Sequence, residues 1–144
     1  MKNVVYEWKP EERLATCKVY YNNIEFKGTA FCHPDDIDMC NKMTGQTIAE
    51  LRAEIKKLQH IRDNELRPQL KILNQLYYAM NRSKKYNKKS YESKMLYRAI
   101  KNITNELDIV KEILDNDRKF LKEYIELKDI YYKNIRSRRK AKAD

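Results

Sequence analysis

The fold is decided by residues 96–135, which read LYRAIKNITNELDIVKEILDNDRKFLKEYIELKDIYYKNI. Positions that alternate in steps of four and three residues form one series along this stretch: Leu96, Ile100, Ile103, Leu107, Val110, Leu114, Asp117, Leu121, Tyr124, Lys128, Tyr131 and Ile135. All of them are apolar or aromatic except Asp117 and Lys128. A period of about 3.5 residues predicts a helix whose apolar seam packs along another helix. Neither Pro nor Gly follows Ser90, so we expect one uninterrupted helix over residues 90–135.

A second apolar stripe lies beside this seam and repeats every seven residues, at Ile113, Phe120 and Leu127. A helix that is apolar on two sides has to bury both of them. A hairpin within the chain covers one side, so we expect the C-terminal half of the helix, which has no predicted partner in the chain, to contact a second copy in a homo-oligomer. Asp117 and Lys128 either fix the register and oligomeric state or mark places where the seam is exposed.

Residues 34–80 are predicted to be helical in two parts. A short helix is expected to begin near Pro34, because proline suits the first helical turn, and to end at Gly45. Thr47 and Glu50 have the spacing of a capping box, which predicts that a longer helix begins there.

The longer helix, 47–80, has its own apolar seam, which changes phase around Pro68. We expect the helix to kink or to restart at this proline. Residues 81–89 are polar and basic and form a predicted loop. Because so short a connection favours neighbouring antiparallel helices, residues 47–80 and 90–135 are predicted to form a long helical hairpin.

Residues 1–33 are predicted to form a three-stranded antiparallel β-meander. Val4, Tyr6 and Trp8 alternate with more polar residues in the first strand. Asn22 and Asn23 separate the next two strands, and Asn tolerates the positive φ of a two-residue type I′ turn. This turn predicts four pairs on one sheet face: Ala15 with Ala30, Cys17 with Gly28, Val19 with Phe26, and Tyr21 with Ile24. The expected fold is therefore α+β, in a single domain over residues 1–144.

The net charge is +10, and two clusters carry most of it. Residues 82–94 have a net charge of +5, and residues 136–144 have a net charge of +4. Such clusters attract anionic partners, whether nucleic acid, nucleotide or acidic protein. The C-terminal cluster is either a solvated, frayed tail or a contact for nucleic acid.

Candidate ligand-binding residues lie where the basic loop meets the long helix: Tyr86, Lys88, Ser90, Tyr91, Lys94 and Arg98. The free main-chain N–H groups at a helix start attract an anion, Lys and Arg bind phosphate, and Tyr stacks on a base. The alternative is a solvated loop with Tyr91 packed on the hairpin. Arg52 is a further candidate phosphate ligand, because it lies near the predicted helix start at Thr47. Helix capping without a ligand is the alternative there.

The sequence carries no signature of a catalytic or cofactor-binding site. Two glycines are too few for a Gly-rich phosphate loop, and the zinc-protease and nucleophile-elbow motifs are absent. The His, Cys and Asp residues within 32–40 match no zinc spacing and favour a helix N-terminus. We therefore predict a non-enzymatic protein with no metal and no cofactor. Three cysteines, without a secretory signal or a membrane-spanning run, predict reduced thiols in a cytoplasm.

The run GTAFCHPDDID at residues 28–38, with Thr44-Gly45 and IAELRA at residues 48–53, resembles small phage and prophage proteins of Gram-positive bacteria. The plan of a short N-terminal sheet followed by long helices is similar to the first-described phage anti-Thoeris sponge family. That resemblance implies sequestration of the cyclic ADP-ribose isomers made by a TIR-domain sensor and, in some members, of cyclic oligonucleotides. It also implies homo-oligomers with pockets between subunits, in the host bacterial cytoplasm.

The leading hypothesis is a phage anti-defence protein that binds a cyclic nucleotide signal without cleaving it. Arg52, Lys94 and Arg98 would hold the phosphates, and Tyr86 or Tyr91 would stack on the base. The first alternative is a phage nucleic-acid-binding protein that uses both basic clusters and binds less tightly as salt rises. The second is a protein-directed inhibitor such as an anti-CRISPR. No hypothesis involves a membrane.

Overall fold

The computed structural model describes residues 3–32, 42–82 and 91–143. Three strands come first: β1 (Val4–Lys9), β2 (Leu14–Tyr21) and β3 (Ile24–Phe31). Four helical segments follow: α1 (Lys42–His60), a π-helical segment (Ile61–Leu66), α2 (Arg67–Arg82) and α3 (Tyr91–Ala143). The predicted α+β class, with a three-stranded antiparallel sheet before long helices, is confirmed. No helix in the described ranges combines the length and the hydropathy that a membrane span requires.

The chain divides into two compact units. We call Met1–Lys57 with Asp115–Asp144 the sheet unit, and Leu58–Leu114 the hairpin unit. The sheet unit contains the strands, most of α1 and the C-terminal part of α3. The hairpin unit contains the π-helical segment, α2 and the first part of α3.

The sheet has β2 at its centre, and the predicted register between β2 and β3 is confirmed. All four predicted pairs are present: Ala15 with Ala30, Cys17 with Gly28, Val19 with Phe26, and Tyr21 with Ile24. Asn22 and Asn23 have φ angles of 47° and 64°, as a type I′ turn requires. Strand β1 pairs with β2 so that Tyr6 lies opposite Cys17, which brings the apolar residues of all three strands to one face.

Helix α1 packs its backbone directly on the apolar face of the sheet. Gly28 makes this possible, because a Cβ there would overlap the carbonyl oxygen of Ala49 and lie 2.6 Å from the main-chain nitrogen of Ala53. The buried core of the sheet unit is made mostly of small residues: Ala15, Cys17, Val19, Ala30, Ile48, Ala49 and Ala53. Small side chains let the helix and the sheet approach closely, so the backbones themselves supply dispersion contacts.

The predicted helix boundary at Gly45 is wrong, since α1 contains Gly45 in its interior. A Cβ on Gly45 would lie 2.9 Å from the Cβ of Ala15, so this glycine permits close packing on β2 rather than ending a helix. Thr47 is not an N-cap either. Its hydroxyl donates to the main-chain oxygen of Met43, 2.8 Å away and one turn back in the same helix. The predicted helix start near Pro34 lies outside the described residues.

The helical backbone continues through Pro68 because a wider turn lies before it. In the π-helical segment Ile61–Leu66, the main-chain N–H of Arg67 donates to the oxygen of Arg62, five residues back. A proline cannot donate to the residue four positions earlier and its ring crowds that carbonyl, so a wider turn is favoured there. The same turn explains the change of phase, because the apolar seam takes a five-residue step across this segment.

The predicted seam of α3 is confirmed along most of its length. Leu114 is fully buried, and the other seam positions from Leu96 to Lys128 are partly buried. The phase then moves by one residue, because Tyr131 is 62% exposed whereas Tyr132 is buried. An α-helix has about 3.6 residues per turn and drifts out of a strict seven-residue repeat. The helix also continues past the predicted end at residue 135, so the C-terminal basic residues are helical as far as Ala143.

The C-terminal half of α3 has a partner within the chain, which the sequence did not predict. Leu121, Tyr124 and Ile125 pack against the buried core of the sheet unit. The second stripe is exposed along its length: 42% at Ile113, 53% at Phe120 and 67% at Leu127. The sheet unit therefore covers the main seam of this half and leaves the stripe open.

Candidate ligand-binding site

The described part of the predicted site begins with α3 in the hairpin unit. Tyr91 is the first residue of this helix, and Lys94 and Arg98 follow three and seven positions later, so the three share one helix face. All three are exposed, and Tyr91 is 73% exposed, so it does not pack on the hairpin. The remaining loop candidates lie outside the described residues: Tyr86, Lys88 and Ser90.

Two contacts place the end of α2 beside the start of α3. The rings of Tyr77 and Tyr97 lie with their centroids 6.2 Å apart and their planes at 45°. Nearer to the loop, the hydroxyl of buried Ser93 donates to the side-chain oxygen of Asn81 at 3.4 Å. Because the later residue of α2 contacts the earlier residue of α3, the two helices run in opposite directions here.

Helix α2 adds a second ring and cation at this end of the hairpin unit. The guanidinium carbon of Arg82 lies 5.4 Å from the ring centroid of Tyr78, a cation–π contact, and Tyr78 is 64% exposed. Neither residue was among the predicted ligand contacts. The signal was present, because residues four apart on a helix are neighbours and an aromatic ring with a cation at that spacing forms such contacts.

Arg52 lies in the sheet unit, and its guanidinium donates a hydrogen bond to the edge strand β3. Its Nη1 donates to the main-chain oxygen of Thr29 at 2.6 Å, and the Nζ of Lys56 donates to the main-chain oxygen of Lys27 at 2.7 Å. Both carbonyls belong to β3, an edge strand whose outward groups lack a strand partner. A guanidinium has five N–H donors, so Arg52 keeps donors for an anion beyond the one given to Thr29.

An acidic cavity lies in the sheet unit, among β1, β2, α1 and α3. Its volume is about 540 Å³, and its charged lining residues are Glu50, Glu54, Lys57 and Asp117. Lys57 pairs with Glu54 at 2.9 Å. Burial and then the charge of Glu54 raise the pKa of Asp117, while Lys57 lowers it. Three carboxyl groups against one ammonium repel phosphate, so this cavity does not suit an anionic ligand.

The same carboxylates act on two groups of the sheet. The pKa of Tyr6 is raised to about 12, first by loss of hydration and then by its hydrogen bond to Glu50. Burial raises the pKa of the Cys17 thiol to about 11, with smaller contributions from Glu50 and Glu54. Both groups therefore keep their protons at neutral pH, and a protonated, buried thiol is a poor nucleophile.

The expectation of reduced cysteines is wrong for one of the described pair. Cys17 is a free, buried thiol, whereas Cys32 is disulfide-bonded. Disulfides are uncommon in a reducing cytoplasm. A disulfide-bonded Cys32 supplies neither a thiolate nucleophile nor a metal ligand. Within the described ranges, no three His, Cys, Asp or Glu side chains are arranged to hold a metal ion.

Comparison with known proteins adds no family to this geometry, since no protein-family model, no curated protein and no solved structure matches the chain. The functional inference therefore rests on the exposed aromatic and cationic residues of the hairpin unit. Five of its exposed aromatic and cationic residues lie toward the end where α2 stops and α3 starts: Tyr78 and Arg82 on α2, with Tyr91, Lys94 and Arg98 on α3. We call these five residues the hairpin-end site.

Proposed function

We propose that the chain is a phage anti-defence protein that binds and sequesters a cyclic nucleotide immune signal without cleaving it. The ligand class is a cyclic ADP-ribose isomer or a cyclic oligonucleotide. The proposed compartment is the host bacterial cytoplasm, where the disulfide at Cys32 would have to resist reduction. One observation carries the proposal. Near one end of the hairpin unit, both α2 and α3 carry exposed aromatic rings and exposed cations.

The chemistry of the hairpin-end site suits such a ligand. Lys94 and Arg98 offer ammonium and guanidinium donors to phosphate, and Tyr91 offers a ring for a base. Tyr78 presents a second ring, and Arg82 lies over its face. A guanidinium stacked on a ring can still donate its N–H groups to phosphate oxygens. Three residues that lie between α2 and α3 in the sequence are also proposed ligand contacts: Tyr86, Lys88 and Ser90. Arg52 belongs to the sheet unit, and its role as a phosphate ligand is part of the same proposal.

Homo-oligomerisation is also part of the proposal. The exposed stripe of Ile113, Phe120 and Leu127 supports it, because apolar residues in a row on one helix favour burial against a partner. Subunit contacts along the stripe would lower the exposure of all three side chains together.

Native mass spectrometry with cyclic ADP-ribose as the probe tests the proposal on the full chain. The expected result is an oligomer that retains the unmodified nucleotide, with the mass of the intact ligand. Arg98→Ala is expected to weaken binding about tenfold or more, because it removes a charge-assisted contact to phosphate. Lys111→Ala, an exposed cation on the same helix outside the site, is the matched control. Equal affinity in the two variants would remove the hairpin-end site from the proposal.

A nucleic-acid-binding function is the second candidate, and the C-terminal helix favours it. Arg136, Arg138 and Lys140 are exposed on α3, which is helical as far as Ala143. A basic helix presents cations to phosphates along a groove or a backbone. Binding to duplex DNA that falls steeply with salt, and that weakens in Arg138→Ala but not in Arg98→Ala, would favour this candidate over nucleotide sequestration.

A further inference from the structure

The sheet has two edge strands, β3 and β1, and their outward main-chain groups have different surroundings. Strand β3 turns the carbonyls of Lys27 and Thr29 outward, and Lys56 and Arg52 of α1 donate to them. A second strand therefore cannot add to β3 without displacing two charged hydrogen-bond donors. Side chains of the helix that covers the sheet face also close this edge.

Strand β1 has an open edge. The main-chain N–H of Tyr20 donates to the oxygen of Asn3 at 3.0 Å, which fixes the alternation of the ladder. Every second residue from Asn3 faces β2, so Val4, Tyr6 and Trp8 turn their N–H and C=O groups away from it. Within residues 3–32, 42–82 and 91–143, no hydrogen bond reaches these outward main-chain groups.

The surroundings of this edge are apolar and exposed. Val5 is 51% exposed and Tyr6 is 46% exposed. Val4 of β1 and Phe120, an exposed residue of the α3 stripe, line the same cavity of the sheet unit. Open main-chain groups beside exposed apolar side chains are the features of a strand that pairs with another chain.

We propose that β1 pairs antiparallel with β1 of a second copy, across a two-fold axis at Tyr6. This register opposes Val4 to the partner's Trp8 in both directions, so a small side chain meets a large one. The outward main-chain N–H and C=O groups of Val4, Tyr6 and Trp8 in each strand then bond to those of the other strand, which gives about six main-chain hydrogen bonds. The two meanders then form one six-stranded sheet.

The neighbouring registers are less favourable. An axis at Glu7 would oppose the two copies of its carboxylate, and like charges directly opposite destabilise a sheet. An axis at Val5 would place Trp8 opposite residue 2 of the second copy, beyond the described strand, and would pair only Val4 and Tyr6 of β1 with each other. In the proposed register, Glu7 lies opposite the partner's Val5, and no like charges meet.

Sedimentation equilibrium of the full chain, without nucleotide, tests the pairing through charges at Val5. Val5→Glu places a carboxylate opposite the partner's Glu7 twice, so the dissociation constant is expected to rise on the order of fivefold. Val5→Lys places an ammonium group opposite the partner's Glu7, so the dissociation constant is expected to fall by a similar factor. Combining Val5→Glu with Glu7→Lys should return the constant toward the wild-type value. Because Val5 is half-exposed, circular dichroism melting curves are expected to stay close to wild type.

Val4→Pro gives an independent test. It removes an outward N–H while leaving the ladder to β2 intact, and the first residue of a strand tolerates proline. The variant is expected to be folded and to lose the association that occurs through β1. A monomeric wild-type protein at its highest soluble concentration would overturn the pairing, as would an oligomer whose dissociation constant does not respond to either charge at Val5. The readout contains no nucleotide, so failure here leaves the proposed ligand binding untouched.

Discussion

Gly28 of β3 and Ala49 of α1 are in backbone contact, so close that a Cβ on the glycine would overlap the alanine carbonyl oxygen. The carbonyl oxygen of Ala49 belongs to the main chain, so it cannot rotate away from an added Cβ as a side chain could. The contact therefore fixes the distance between α1 and the sheet, and it does so at the centre of the buried core.

Gly28→Ala is expected to destabilise the protein by about 2 kcal/mol or more, since an extra methyl group in a packed contact forces the backbone apart. Urea unfolding followed by circular dichroism measures the change. Thr29→Ala is the matched control, because Thr29 is the next residue and is exposed. Equal midpoints for the two variants would show that α1 does not rest on Gly28.

Gly45 offers a test in which the sign of the effect is informative. In an ordinary helix interior, Gly→Ala stabilises by about 0.5–1 kcal/mol. Here the new methyl group would lie 2.9 Å from the Cβ of Ala15, so we expect Gly45→Ala to destabilise instead. Ala15→Gly removes that Cβ. The double variant should be more stable than the sum of the single effects predicts, and strict additivity would count against the contact.

Asp117 makes stability depend on pH in the acid range. Its pKa is raised in the folded protein, so the folded state binds more protons than the unfolded state, and stability falls as the pH rises through this range. The destabilisation caused by the ionised Asp117 carboxylate is complete above its pKa in the folded protein. It is absent well below the ordinary pKa of 3.8. Asp117→Asn is therefore expected to raise the urea midpoint at neutral pH and to lose that advantage in acid.

Asp115→Asn is the matched control for this titration, because Asp115 is exposed on the same helix and is not a lining residue of the acidic cavity. The measurement is the difference in urea midpoint between each variant and the wild type, recorded from neutral pH to acid. A difference that stays constant for Asp117→Asn would show that its carboxyl group titrates normally.

The cysteines should differ in their reactivity toward iodoacetamide. Cys17 is fully buried and its pKa is raised to about 11, so native protein at mildly alkaline pH should leave it unlabelled. Urea should expose it without any reductant. Cys32 should become labelled only after reduction, because it is disulfide-bonded. Peptide mass spectrometry distinguishes the two sites, and labelling of Cys17 in the native protein would contradict its burial.

The β-hairpin and the seam of α3 were predictable because their signals are local. Asn22 and Asn23 select the turn, and alternation then fixes each pair of strands β2 and β3. The seam depends on one period repeated over many turns, and it fails only at Tyr131, where the drift of a real helix has accumulated. The face of Tyr91, Lys94 and Arg98 followed from the same spacing.

Features that depend on contacts between distant segments were not predictable. Gly45 resembles a helix terminator until Ala15 is known to lie against it. The hydrogen bond from Arg52 to the outward carbonyl of Thr29 joins residues that are far apart in the sequence, so no local pattern indicates it. The partner of Leu121 and Tyr124 is the sheet unit, which no helical period can indicate.

Arg52 and Lys56 have a consequence for how assembly stops. A sheet with two open edges can add copies without limit, as fibrils do. Here one edge is occupied by the cations of α1, so a sheet that joins another through β1 has no second edge to offer. Growth in the direction of the hydrogen bonds then ends at a closed pair, and two side chains on one helix separate a discrete complex from a polymer.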